Sequence, residues 1–110
     1  MTVVYKNANF ISLNDEGAIY SVMVTHGKNI AYVGYNTPIC YDSERVVDLN
    51  DAYVLPLIND MIEFDRKHAR CTVLAEGERA DFLVLDKNIL NDKSATVIEA
   101  YKKGRKLRKF

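Results

Sequence analysis

A chain of 110 residues has room for one hydrophobic core and not for two. Apolar residues make up 48% of it, which argues against disorder, and fifteen basic residues cancel fifteen acidic ones, so no overall field draws it to nucleic acid or to a membrane. Seven Tyr and four Phe with no Trp, beside many Val and Ile, favour strands over helices.

The opening residues, MTVVYKNANF, lack the basic start and long apolar run of an export signal. No apolar stretch reaches the roughly 18–20 residues that cross a bilayer, so a cytoplasmic location with no membrane contact is expected. Cys40 and Cys71 have no C-x-x-C spacing, and without an export signal two reduced, half-buried thiols are expected.

In chain order, Thr2 to Tyr5 and Asn9 to Leu13 predict one or two strands separated by the polar Lys6-Asn7 pair. Asn14 to Gly17 is a turn, and Ala18 to Thr25 alternates as a strand. His26-Gly27-Lys28-Asn29 closes a hairpin onto Ile30 to Val33. Gly34 to Ser43 has loop composition. Arg45 to Leu49 and Ala52 to Leu55 predict two short strands around an Asn50-Asp51 turn, ended by Pro56.

Asn59 to Arg70 differs from its surroundings. Met61, Phe64 and His68 share one helical face, with Asn59 or Asp60 as a cap, although a charged loop would carry the same pattern. Cys71 to Ala75 is a further strand candidate, Glu76-Gly77-Glu78 a turn, and Ala80 to Leu85 an apolar strand. Lys87 to Ser94 is a polar loop pinned by Ile89 and Leu90. Thr96 to Tyr101 and Arg105 to Phe110 form a last hairpin through Lys102-Lys103-Gly104. About nine short strands, with at most one short helix near 60–69, predict a mostly all-β fold, a β-sandwich or open pseudo-barrel.

Two stretches together resemble the amidohydrolase superfamily of metal-dependent hydrolases. VVYKNANFISLND, YSVMVTHGKNIAYVG and VVDLNDAYVLPLIND are similar to its opening meander and to the segment that leads to V-L-P-G-F-x-D. AEGERADFLVLDKNIL and VIEAYKKGRKL are similar to its closing A-D-[LF]-V-V-L-D strand and final hairpin. The resemblance covers roughly 2–60 and 72–108. It implies that an N-terminal part, 2–58, and a C-terminal part, 71–110, form one composite β-sandwich domain joined by a linker or helix at 59–70. In such enzymes a (β/α)-barrel holding the metals is inserted between these ends. Here that barrel is missing.

The family's chemistry begins with a His-x-His pair, two imidazoles on one side of a strand gripping one divalent ion. Pro56 matches the motif's Pro, Leu57 stands where Gly is usual, Ile58 matches the apolar residue, and Asn59-Asp60 match N-D. The histidine positions then fall on Ile62 and Phe64, whose side chains have no lone pair for a metal. Among the remaining candidates, His26 reads as a solvated imidazole in a turn. His68 sits among Arg66, Lys67 and Arg70, which disfavour a second cation. Asp81 and Asp86, at opposite ends of a strand, read as solvated carboxylates rather than an acid–base pair. Gly77 and Gly104 are isolated turn glycines and make no phosphate loop. No Ser, Cys or Thr has an evident base. No catalytic residue, metal site or cofactor is therefore expected.

The last charge feature is the run Lys102, Lys103, Arg105, Lys106, Arg108 and Lys109. It reads as an edge strand guarded by lysines rather than as a contact for nucleic acid, because interleaved stacking aromatics are missing. The sequence thus predicts a non-catalytic binding, scaffold or regulatory module. Its expected partner is a second copy, forming a homodimer, or another protein covering the face that would pack on a barrel. Two alternatives stand beside it: a fragment of a metal-dependent hydrolase acting on C–N bonds, and an anion or nucleic-acid binder working through the basic C-terminal arm.

Overall fold

The computed structural model describes residues 2–13, 16–38, 40, 45–56, 73–89 and 91–109. Among these residues there are seven strands and no α-helix. They are β1 (Thr2–Ile11), β2 (Ile19–His26), β3 (Asn29–Gly34), β4 (Arg45–Pro56), β5 (Phe82–Leu85), β6 (Val97–Lys102) and β7 (Arg105–Lys109). All belong to one open mixed sheet in the order β3-β2-β1-β4-β5-β6-β7. The β1–β4 pairing is parallel, and the others are antiparallel. The all-β expectation holds, with an open pseudo-barrel as its form. The helix expected near 60–69 lies outside the described residues.

The strand count falls because two expected breaks are bulges inside continuous strands. In β1, Val3 and Tyr5 face the main core, and beyond Lys6-Asn7 the core residues are Ala8 and Phe10. Inward parity flips from odd to even because Asn7 takes a left-handed φ of 56° and inserts one extra residue. The neighbouring β4 makes the same flip, from Val47 and Leu49 to Ala52 and Val54, at Asn50 (φ 53°) and Asp51 (φ 65°). Asp48 ties the two bulges together. Its Oδ1 accepts the Asn7 side-chain amide at 2.9 Å and the Asn50 N–H at 2.8 Å. Asn and Asp tolerate the left-handed region, so polar residues that look like turns keep both strands in register.

The strand expected over Cys71 to Ala75 is not formed in its described part, Val73 to Ala75. β1 already pairs on both sides, so this segment passes the end of β1, with the Leu74 N–H donating to the Ser12 carbonyl at 2.9 Å. Leu74 itself is fully buried with Phe10, Met23, Ile30, Val54 and Phe82.

Residues 77–80 then curl the sheet. The Ile30 N–H donates to Glu78 O (2.7 Å), Gly77 N–H to Ile30 O (2.8 Å) and Ala80 N–H to Lys28 O (2.8 Å). These bonds tie β3, one edge of the sheet, to the entry of β5 near its other side. The outer surface carries two smaller clusters. Ile11, Leu55, Leu83, Leu85 and Ala100 pack with Ala95 and with Ile89, which pins its loop as expected, while Leu90 lies outside the described residues. Val4, Val22 and Val24 pack with Ala31 and Tyr32.

Candidate anion-binding cleft

The curl brings two hairpin turns together at one end of the sheet. In the β6–β7 turn, Lys103 (φ 53°) and Gly104 (φ 77°) are both left-handed. The Gly104 N–H donates to Ala80 O at 3.0 Å, and a Cβ at Gly104 would collide with the carbonyl oxygen of Gly27 in the β2–β3 turn. Only glycine permits this approach.

Between the two turns and the start of β4 lies a cleft of about 980 Å³. Val3, Tyr5, Val47 and Tyr101 make its apolar floor, with Thr25 beside them. Six cationic residues surround that floor: Lys28, Arg45, Lys102, Lys103, Arg105 and Lys106. Among the described residues no Asp or Glu lines it. Glu99 offsets part of the charge, with its Oε2 3.0 Å from Lys106 Nζ.

The floor rests on a rigid aromatic cluster. Tyr101 stacks on Phe82 at 4.5 Å and 11°, while Tyr5 meets Phe82 and Tyr101 edge-on at 5.5 and 5.7 Å. Burial raises the Tyr5 phenol above its ordinary pKa, against a smaller lowering effect from its hydrogen bond with Thr25. Burial, and then the Glu99 carboxylate, raise Tyr101 further, and its O–H donates to Glu99 Oε1 at 3.1 Å. Both phenols are therefore neutral at ordinary pH.

Asp81 supports the cleft from behind. Its carboxylate has no exposed surface, contrary to the solvated strand-end expected from sequence. Oδ1 accepts the Lys103 N–H at 2.8 Å, and Oδ2 lies 3.4 Å from Arg79 Nε. Arg79 Nε and Nη2 are buried and find no hydrogen-bond partner among the described residues, so the Arg79–Asp81 contact acts through charge rather than through a well-aligned hydrogen bond. Asp86, by contrast, is exposed as expected, and its Oδ1 accepts the Thr96 N–H at 2.7 Å.

The remaining sequence candidates stay apart. His26 is exposed at the end of β2, its Nδ1 2.6 Å from Thr2 Oγ1. Cys40 is free and exposed rather than half-buried. Ile62, Phe64, His68 and Cys71 lie outside the described residues. Among the described residues no group of three or more His, Cys, Asp or Glu could hold a metal ion. No helix among them is long and apolar enough to cross a membrane. β7 is an edge strand, as its lysines and arginines predict. What the sequence did not reveal is that Lys28 and Arg45 join that basic arm around one hollow. Each is an isolated cation in its own segment, and only the curl of the sheet unites them.

No protein-family model matches the chain, and no curated protein is significantly similar to it. Two solved structures are similar over 53% of this chain, each with a TM-score of 0.46. One is an uncharacterized metal-dependent hydrolase from Pyrococcus furiosus, 16% identical. The other is an uncharacterized metal-dependent hydrolase from Pyrococcus horikoshii OT3, 18% identical. The matched part spans 13% of each of those chains.

Proposed function

We propose that this chain is a non-catalytic β module of amidohydrolase type, one that binds or holds a partner rather than converting a substrate. The observation that carries the reading is the antiparallel β4–β5 ladder, Tyr53↔Leu85 through Pro56↔Phe82. It joins the segment resembling the family's opening to the segment resembling its close. Val54 from the first and Phe82 from the second are both fully buried in the same core cluster. Two ends that flank a barrel in such enzymes thus complete a core with each other.

The sequence supports the non-catalytic part. Ile62 and Phe64 occupy the positions where the resemblance requires imidazoles, and neither can donate electrons to a metal. Metal content tests this directly. After equilibration with zinc and desalting, the protein is expected to retain far less than one equivalent. Retention of one zinc per chain would overturn the reading.

The partner we propose for this module is a second copy of the same chain. Light scattering should give the dimer mass, and a monomer at all concentrations would remove this part of the proposal.

A further inference from the structure

We infer that the cleft between the β2–β3 and β6–β7 turns is a binding site for a small organic anion, a flat apolar body carrying a phosphate group. The inference goes beyond the scaffold reading and does not depend on it, because it makes no use of metal content or of oligomeric state.

Charge placement is the first argument. The chain as a whole is neutral, yet six cations converge on one hollow that no described carboxylate lines. Guarding the β7 edge accounts for Arg105, and Glu99 pairs with Lys106, but neither accounts for Lys28, exposed in another turn. Like charges gathered around a low-dielectric concavity repel one another and focus a positive potential into it. A dianionic phosphate relieves that repulsion more than a single carboxylate does.

The floor is the second argument. Val3, Val47 and the two neutral tyrosines present an apolar base, which an inorganic ion alone cannot use. A volume of about 980 Å³ falls at the upper end of small-molecule sites, enough for a fused ring system with its phosphate at the cationic rim. The stacked Tyr101–Phe82 pair holds the floor rigid, so little ordering is needed on binding.

The test is an amide NMR titration of the full chain with naphthyl phosphate, beside inorganic phosphate and uncharged naphthol. Naphthyl phosphate should shift the amides of Gly27, Lys28, Lys103 and Gly104 and saturate. Each half-ligand should bind at least about tenfold more weakly. The double variant Lys28→Glu with Arg105→Glu, at exposed positions, should weaken naphthyl phosphate by roughly tenfold or more while keeping a folded spectrum. If that variant does not fold, Lys28→Gln with Arg105→Gln removes the same charges. Absence of saturation, shifts confined to another surface, equal affinity for inorganic phosphate or naphthol, or unchanged affinity in a folded charge variant would each overturn the inference.

Discussion

A carboxylate with no exposed surface needs partners close by, and Asp81 obtains them from both sides of the fold. Arg79 lies two residues earlier, while the Lys103 N–H comes from a turn far along the chain. The sequence makes Asp81 look like a solvated strand end, because the partner that buries it is visible only once the β6–β7 turn is in place. Truncation to Asp81→Ala strands the buried Nε and Nη2 of a half-buried Arg79 and a turn N–H. It should cost about 3 kcal/mol or more in urea unfolding. A loss within measurement error would show that the carboxylate is incidental. Tyr5 and Tyr101 give a second residue-scale prediction. Their folded pKa values are raised, so the stability linked to them is complete below the unfolded value of 10.0 and is lost as pH rises above it. The melting temperature should fall above that pH, and it should fall less in Tyr5→Phe with Tyr101→Phe. An identical decline in both proteins would contradict this.

Elements were legible where the signal was local. The β2–β3 and β6–β7 hairpins and the Phe82–Leu85 strand follow from alternation and turn chemistry. The two bulges misled, because Lys6-Asn7 and Asn50-Asp51 have the composition of turns. Only the pairing of β1 with β4 shows that one side chain, Asp48, holds both. The Asn50 N–H and the Asn7 amide depress the Asp48 pKa below its usual 3.8. What this bond contributes is therefore present above 3.8 and is lost as pH falls through the lowered value. Amide exchange at Asn50 should accelerate below that point, and an Asp48→Asn variant should show no such step. At the opposite hairpin, Gly104→Ala meets both a left-handed φ and the Gly27 carbonyl. A loss of about 2 kcal/mol or more is expected in thermal unfolding, with the largest amide shifts at Gly27. Wild-type stability would mean that the two turns do not touch.

At the scale of the whole molecule, the β4–β5 ladder joins the first half of the chain to the last third in one sheet. The curl of the open sheet was not legible. It depends on backbone bonds from residues 77–80 to Lys28 and Ile30, which no side-chain pattern encodes. The cleft was hidden for the same reason, since its cations come from segments that meet only after the sheet has curled. On the reading proposed above, one cooperative sheet held without a metal should unfold in a single thermal transition, and a ligand bound only by the native state would raise its midpoint. Scanning calorimetry of the full chain, with chelator and then with excess zinc, tests this most directly. One transition with the same midpoint in both is expected. Two separate transitions, or a midpoint raised by zinc, would contradict it.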